Sequence, residues 1–393
     1  MQSFDELIAF RKILHQNPEL SNQEQATAAR IFEEFQAFSA DEVITGLGGT
    51  GLAFVFNGAQ SGPTTLIRSE LDALPIEETN DFEHRSKVMG VSHKCGHDGH
   101  MSIVTALGAE LATHRPQKGR VVLCFQPAEE TGMGAIQMVQ DPRFSDIAPD
   151  YAFALHNYPS LELGKVAVRA GTFNCASRGM IIHLKGKTSH AAHPENGISP
   201  ANAMCHIIQE LNGLPANVAQ ATSLGRNWVT VIHAKLGEVA FGTSPGDAVV
   251  MVTLRSETNE GMQTLVAHAE RFSQAIATRE NVSISFEYDD VFQASVNSHQ
   301  GCDLVVSACD NTQTPFALLD EPMRWSEDFG QFTATAKEGA MFALGAGHTS
   351  PQLHNPDYDF PDGLIPVGRD LFLDIIRQLN GQEGHNCVLI GRG

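Results

Sequence analysis

The segment SHKCGHDGH (92–100) concentrates three histidines, one cysteine and one aspartate within nine residues. Imidazole, thiolate and carboxylate groups bind divalent metals and transfer protons in catalysis. Cys95 and His97 lie two residues apart, so their side chains point to the same side of an extended segment, and Gly96 lets the backbone approach closely. The segment is compatible with a buried thiol beside a capping histidine, a zinc knuckle, a cysteine nucleophile or a catalytic metal centre.

The rest of the sequence supports these four interpretations unequally. A zinc knuckle needs further paired cysteines or histidines at short spacing, and no C-x-x-C occurs in the chain. A cysteine nucleophile needs a positioned histidine and a separate orienting group, and that interpretation stays open. An isolated C-x-H is most often a buried structural thiol, so a metal centre requires ligands from other segments.

Adjacent carboxylates, Glu129 and Glu130, follow the apolar run VVLCF (121–125) and Pro127. Acidic residues are also favoured at helix N-termini by the helix dipole, which is the alternative interpretation. Because the pair follows a buried type of strand, we expect both carboxylates at the edge of a sheet. One of them can then bind a metal while the other transfers protons.

Strands and helices that alternate along the chain must position these residues. Five short apolar runs have the composition of strands buried on both faces of a sheet: LAFVF (52–56), TTLIR (64–68), VVLCF (121–125), YAFAL (151–155) and MFALG (341–345). Helical patterns at 99–114 and 134–141 separate some of them, which predicts an α/β layer fold. Two helices open the chain, each with a pair at capping-box spacing: Ser3 with Glu6, and Ser21 with Glu24.

Polar residues follow the apolar runs at the point where ligands of open α/β sheets bind, beyond the carboxyl ends of the strands. A single histidine in such a position is more often structural, so the common placement of five segments carries the prediction of one site. These segments are Glu70–Asp72, Cys95–His100, Glu129–Glu130, His156 and His354.

The pattern changes between Ser177 and Tyr288, where longer strands and amphipathic helices occur. The predicted strands cover 178–187 and 248–258, and the predicted helices cover 200–211 and 260–280. The α/β pattern then resumes and ends in a helix near 363–380. We therefore predict two domains, one inserted into the other, with segment boundaries at 1–176, 177–288 and 289–393.

Composition and charge narrow the class of protein. The 26 Lys and Arg residues against 46 Asp and Glu give a formal charge of −20. This charge argues against binding to nucleic acid, because proteins that bind nucleic acid present a basic face. The N-terminal segment lacks the order of a signal peptide, and no run reaches the about 18 apolar residues of a membrane span. Seven scattered cysteines do not resemble a disulfide framework. We expect a cytoplasmic protein that binds a small molecule and no membrane.

Several motifs occur together in the order found in one enzyme family: LHQNPELS, SELDALPIEE, HKCGHDGH, FQPAEETGMGA, LHNYP, GKTSHAAHPENGISP, SEDFGQF and LHNPDYDF. The sequence resembles the N-acyl-amino-acid amidohydrolases, which include hippurate hydrolases and auxin-conjugate hydrolases. They are a branch of the aminoacylase and glutamate carboxypeptidase type metallopeptidases. The resemblance covers nearly the whole chain. It implies a zinc-exopeptidase-like α/β catalytic domain with two metals, and an inserted α+β lid through which a homodimer forms.

By motif position, the resemblance assigns Glu129 as the general base and implies five metal ligands: Cys95, His97, Glu130, His156 and His354. His190, in TSHAAHP, corresponds to a lid histidine that approaches the substrate. Glu70 stands where the family more often has aspartate, and Gly242 stands where asparagine is frequent. The ligand pattern itself is intact, whereas a substrate contact is missing at Gly242.

Further residues are expected to support the ligands or to bind substrate. Asp72 is placed to hold a ligand imidazole in the correct tautomer, and Glu70 and Asp98 are candidates for the same role. Asp98 is equally compatible with capping the helix 99–114. Arg255 suits the bidentate binding of a substrate carboxylate and is equally compatible with a surface ion pair.

The expected reaction is hydrolysis of an N-acyl amino acid to a carboxylic acid and a free amino acid. Two divalent ions carry four positive charges, of which the Cys95 thiolate and the Glu130 carboxylate neutralise two. The surplus favours a bridging hydroxide, and Glu129 takes the proton of the attacking water. One thiolate and three imidazoles suit zinc, nickel or cobalt, and the resemblance makes manganese equally suitable, so we expect two ions of manganese or zinc. The alternatives are a dipeptidase, a non-catalytic metal- or peptide-binding protein and a cysteine hydrolase.

Overall fold

The computed structural model describes residues 3–221 and 225–381, of which 216–221 are described by their backbone alone. The chain divides into two compact units. The first unit contains residues 3–173, 296–321 and 328–381, and the inserted unit contains residues 174–295 and 322–327. The predicted insertion, 177–288, lies within the inserted unit, which extends beyond it at both ends and also includes 322–327.

The described residues contain both helices and strands. The α-helices are α1 (Phe4–Gln16), α2 (Gln25–Phe35), α3 (His97–Thr113), α4 (Gly134–Gln140), α5 (Ala201–Ala221), α6 (Asn259–Arg279), α7 (His299–Thr312), α8 (Gly330–Thr335) and α9 (Leu364–Asn380). The capping box predicted at the start of α1 is present, because Ser3 and Glu6 exchange hydrogen bonds between side chain and backbone. No described helix is long and apolar enough to span a bilayer.

The strands include all five apolar runs that the sequence analysis identified. In chain order they are β1 (Glu42–Leu47), β2 (Gly51–Asn57), β3 (Gln60–Glu70), β4 (Lys118–Gln126), β5 (Tyr151–Pro159), β6 (Val166–Val168), β7 (Gly171–Asn174), β8 (Ala176–Lys185), β9 (Ser189–His190), β10 (Asn227–Leu236), β11 (Thr243–Ser244), β12 (Asp247–Ser256), β13 (Ser283–Phe292), β14 (Ser295–Asn297), β15 (Phe316–Leu318) and β16 (Glu338–Gly347).

An eight-stranded sheet forms the centre of the first unit, in the order β1-β2-β4-β3-β5-β16-β6-β15. Its four central strands, β4, β3, β5 and β16, are parallel. The pairs β2–β4 and β16–β6 are antiparallel, so the sheet is mixed. The predicted α/β fold is confirmed, and the carboxyl ends of the four parallel strands lie at one edge of the sheet.

Both faces of the central strands are buried, as continuous apolar runs require. In β3, Ile67 belongs to the core cluster that includes residues of α1, α3 and α9. Its neighbour Leu66 is equally buried but lies outside that cluster. Because successive strand residues point to opposite faces, helices or loops cover the sheet on both sides. α4 and α8 contact each other as well as strands of the sheet.

The inserted unit is an antiparallel sheet covered by two helices, in the strand order β10-β12-β8-β13. Alternate residues of β12 are buried, and α5 and α6 both contact this sheet. The segment 322–327 is held in this unit by several bonds. Arg255 donates to the Arg324 carbonyl and to Ser326 Oγ, Ser326 donates to the Cys175 carbonyl, and the Cys175 amide donates to the Met323 carbonyl.

Candidate metal centre

The first unit brings all the predicted ligands to the carboxyl edge of the parallel strands. Cys95 lies directly before α3 and His97 is the first residue of that helix. Glu130 is in the loop after β4, His156 lies within β5, and His354 is in the loop after β16. Five ligands from four segments that are far apart in the sequence therefore converge on one place.

The side chains form two sets of three that share one sulfur atom. Within each set, Cys95–His97–His156 and Cys95–Glu130–His354, the possible ligand atoms lie within 4.8 Å of one another. The Cys95 Sγ to His156 Nε2 distance is 3.4 Å, and the His354 Nε2 to Glu130 Oε2 distance is 3.8 Å. With Zn–S of about 2.3 Å and Zn–N of about 2.0 Å, two ligands of a tetrahedral zinc are about 3.5 Å apart. The spacing of these atoms fits divalent metal binding.

His97 is held in the tautomer that a metal ligand needs. Its Nδ1 donates to the Asp72 carbonyl at 2.9 Å, so in the neutral imidazole the lone pair is on Nε2. Nε2 is buried without a hydrogen-bond partner among the described residues, and it lies 3.9 Å from a carboxylate oxygen of both Glu129 and Glu130. Buried polar atoms normally have a partner, and this acceptor beside two carboxylates is suited to a cation.

Anionic groups dominate the electrostatics of the cluster. Burial, together with the Glu130 and Glu129 carboxylates, raises the pKa of the Cys95 thiol well above its ordinary value. Burial opposes protonation of His97, but Glu70, Asp72 and Glu130 outweigh it and raise the pKa of His97 to about 10. The surroundings thus favour positive charge at this point, which a divalent cation supplies.

The loop that carries Glu129 has an unusual backbone. Ala128 has a φ of +49°, a left-handed conformation that costs free energy in residues other than glycine. The loop is fixed by two carboxylates, since the Ala128 amide donates to Glu24 Oε1 at 2.8 Å and the Glu130 amide donates to Asp72 Oδ2 at 3.0 Å. Glu129 is 5% exposed. Both glutamates precede α4, which begins only at Gly134, so they are not in its first turn.

The predicted capping box at Ser21 and Glu24 is wrong, because Glu24 contacts this loop and Ser21 contacts Asp72. α2 begins at Gln25 with Glu24 as its N-cap residue and without a capping hydrogen bond from its side chain. Ser21 Oγ instead donates to Asp72 Oδ2 at 2.7 Å, while Glu24 accepts from the Ala128 amide. Local spacing did not reveal these contacts with residues about 50 and 100 positions away.

The three candidate supporting carboxylates have different partners. Asp72 contacts His97 through its carbonyl and, at 3.5 Å, through its carboxylate. Glu70 contacts His100, whose Nδ1 lies 2.8 Å from its carboxylate, and it forms a buried ion pair with Arg68. The alternative role of Asp98 as a helix cap is wrong, because α3 begins at His97 with Gly96 as its N-cap residue.

Asp98 instead belongs to a buried ionic cluster that the sequence analysis missed. Arg11, which is fully buried, forms ion pairs with Asp98 at 2.9 Å, with Asp359 at 2.8 Å and with Asp362 at 2.6 Å. His15 Nδ1 also lies 2.9 Å from Asp98. We call these five residues the Arg11 cluster. The detectable signal was a charged pair, Arg11 and His15, on the apolar face of α1.

The two predicted substrate-binding residues lie in the inserted unit. His190 is exposed in the short strand β9 and accepts a hydrogen bond from the Ala192 amide through Nδ1. Arg255 lies in β12, where its Nη1 donates to the Arg324 carbonyl and to Ser326 Oγ. Burial lowers the pKa of Arg255. Binding of a substrate by either residue stays a prediction.

Comparisons with known proteins agree with this geometry. The family described as Peptidase family M20/M25/M40 matches residues 66–378. The N-acetylcysteine deacetylase of Bacillus subtilis is 31% identical over 94% of this chain and 95% of the relative, and the hippurate hydrolase of Campylobacter jejuni is 28% identical over 91% and 92%. A crystal structure of a dinuclear metal binding peptidase of Bacillus subtilis shares the fold, with a TM-score of 0.80 at 24% identity over 95% of this chain and 97% of the other.

The chain therefore belongs to peptidase family M20/M25/M40. It is a metal-dependent hydrolase of amide bonds, and the predictions of the family and of this enzyme class are confirmed.

Proposed function

We propose that this protein hydrolyses the amide bond of N-acyl amino acids, releasing a carboxylic acid and a free amino acid. The observation that carries this proposal is the buried Glu129 carboxylate beside two sets of ligand atoms that share Cys95 Sγ. The activities in the names of the relatives, deacetylation of N-acetylcysteine and hydrolysis of hippurate, support this substrate class.

Two divalent ions would be held by these side chains, one by Cys95, His97 and His156 and the other by Cys95, Glu130 and His354. When bound, the ions supply the positive charge that lowers the pKa of a water molecule and polarises a carbonyl oxygen. We propose manganese or zinc, with nickel or cobalt as other candidates, because sulfur and imidazole ligands suit zinc whereas carboxylates suit manganese.

The chain's own residues orient the ligands and move the proton. Asp72 fixes the His97 tautomer and also holds the Glu130 amide. Glu129, 3.9 Å from His97 Nε2, accepts the proton of the attacking water through its carboxylate and donates it to the leaving amine nitrogen. The carbonyl carbon gains the oxygen of water while its bond to nitrogen breaks.

A cysteine hydrolase is disfavoured by the environment of Cys95. The nucleophile of such enzymes is a thiolate, which requires a lowered pKa. Burial and two neighbouring glutamates instead raise the pKa of Cys95 well above its ordinary value. The thiol therefore needs a metal to ionise, which favours the role of ligand.

Chelation followed by metal readdition tests this proposal. We expect a chelator to abolish hydrolysis of N-acetyl, N-benzoyl or longer N-acyl amino acids, and added Mn²⁺ or Zn²⁺ to restore it, because Cys95 and the carboxylates need a cation to complete the site. Product release is measured in parallel on simple dipeptides as the substrate control. Activity that survives chelation would contradict a metal enzyme, and exclusive cleavage of dipeptides would indicate an exopeptidase.

We propose in addition that the inserted unit is a lid, in which His190 contacts the substrate and Arg255 binds the carboxylate of the substrate.

We also propose a homodimer through this unit. It is supported by β10, an edge strand of the sheet whose Ile232 is 61% exposed, since such edges favour pairing with another chain. We expect light scattering to give the mass of a dimer, and a concentration-independent monomer mass would contradict it.

A cytoplasmic location is supported by the free thiols of the six cysteines in the described part of the chain.

A further inference from the structure

Asn157 connects the segments that carry four of the five candidate ligands. It follows His156 in β5, and its side chain is fully buried. Its Nδ2 donates to the Cys95 carbonyl at 2.7 Å, and its Oδ1 accepts from the Tyr358 hydroxyl. Tyr358 lies four residues after His354 in the same loop. One carboxamide therefore joins β5, the start of α3 and the loop after β16.

The backbone of Asn157 fixes two neighbouring imidazoles. Its carbonyl lies 2.8 Å from His156 Nδ1, which places the proton on Nδ1 and leaves Nε2 facing Cys95 Sγ. Its amide donates to His100 Nε2 at 3.1 Å, while His100 Nδ1 contacts Glu70. Both nitrogens of His100 are thus engaged, which favours a supporting role over that of a metal ligand.

Gly96 leaves the space that the Asn157 side chain needs. It is the N-cap residue of α3 with a φ of +87°, which favours glycine. A Cβ at this position would lie 2.7 Å from both Nδ2 and Oδ1 of Asn157. The turn between Cys95 and His97 is therefore built around this carboxamide.

We propose that Asn157 is a positioning residue for the metal centre, which fixes Cys95 relative to His156 and to the loop of His354. This inference rests on the proposed roles of Cys95, His156 and His354 as ligands. The site requires asparagine because one side chain must donate to the Cys95 carbonyl and accept from the Tyr358 hydroxyl at the same time. An aspartate has the same shape, but as a carboxylate it has no donor and repels the Cys95 carbonyl.

Cobalt binding to the metal-free full-length protein tests the inference. We expect N157D to bind Co²⁺ about 10- to 100-fold more weakly than the wild type, as is typical when a residue that orients ligands is replaced. We also expect its thiolate-to-cobalt charge-transfer band, which reports on Cys95, to shift or weaken. Affinity is measured by competition with a chelator, and the band by near-ultraviolet absorption.

The chain offers a matched control in Asn297. This buried asparagine also bonds the backbone, donating to the carbonyls of Arg169 and Met341 and accepting from the Met341 amide, and none of these partners belongs to a predicted metal ligand. We expect N297D to lower the temperature of unfolding while the cobalt affinity and the band stay at wild-type values. A merely structural role of Asn157 predicts the same behaviour for both variants.

The outcomes separate this inference from the proposed function. Wild-type affinity and an unchanged band in N157D would overturn the inference alone, whereas a wild type that binds no cobalt would overturn both. If N157D does not fold, the cobalt affinity of Y358F tests the inference instead, because this substitution removes only the hydroxyl that donates to Asn157 Oδ1. A several-fold weaker cobalt affinity in Y358F supports the inference, and an unchanged affinity contradicts it.

Discussion

Replacing Glu129 with Gln is expected to lower kcat by about 10²- to 10⁴-fold, the range that a general base contributes. The amide has nearly the shape of the carboxylate but cannot accept the proton of the attacking water. Because Glu129 belongs to neither ligand set that contains Cys95 Sγ, the metal content of the variant is expected to remain at the wild-type value. Turnover of an N-acyl amino acid and metal content per chain are the two measurements.

Two further substitutions make the result specific to Glu129. E130Q changes the neighbouring carboxylate in the same way, and we expect it to lose metal as well as activity, since Glu130 belongs to a ligand set. E33Q changes an exposed glutamate of α2 and is expected to change neither quantity. Activity of E129Q within a few-fold of the wild type would exclude Glu129 as the base, and a loss of metal in this variant would assign it the role of a ligand.

Replacing Arg11 with Met is expected to lower the free energy of unfolding by about 3–5 kcal/mol, the effect of removing one partner from a buried ion pair. Arg11 is fully buried and faces Asp98, Asp359 and Asp362. Although burial opposes ionisation of Asp98, His15 and Arg11 hold its pKa well below the usual range. Methionine fills much of the volume but leaves these carboxylates without their guanidinium partner.

Urea denaturation at neutral pH measures this loss, and the exposed ion pair of Arg115 and Asp41 provides the control. These two side chains are 27% and 39% exposed, so R115M is expected to cost at most about 1 kcal/mol. Equal destabilisation by R11M and R115M would show that the Arg11 cluster contributes no more than a surface pair.

We also expect R11M to bind metal more weakly, because Asp98 directly follows His97.

The central strands of the first unit were predictable because each has a local pattern. The five apolar runs became β2, β3, β4, β5 and β16, since a strand buried on both faces needs apolar residues at every position. The convergence of Cys95, Glu130 and His354 was likewise predictable, because parallel strands end at one edge of the sheet and the motifs indicated the family. The short strands β1, β6 and β15 at and near the ends of this sheet have weaker patterns and were not predicted.

The contacts that hold the site were not predictable from spacing. Ser21 and Glu24 have the pattern of a helix cap but contact Asp72 and the Ala128 amide. Asp98 has the position of a cap but contacts Arg11. In each case a polar side chain has a local and a distant partner available, and only the packing of the whole unit decides between them. Asn157 was missed for the same reason, because nothing in LHNYP indicates contacts with the start of α3 and the loop after β16.

The six residues 322–327 have a consequence for the order of events during synthesis. They belong to the inserted unit, although residues 321 and 328 on either side belong to the first unit. Domains generally fold as units while the chain emerges from the ribosome, but the inserted unit lacks the partners of Arg255 and Cys175 until Ser326 has been added. The first unit must wait longer still, because β16 fills the place between β5 and β6 in its sheet. The inserted unit is therefore complete only after the segment 322–327 has been synthesised, and the first unit only after β16.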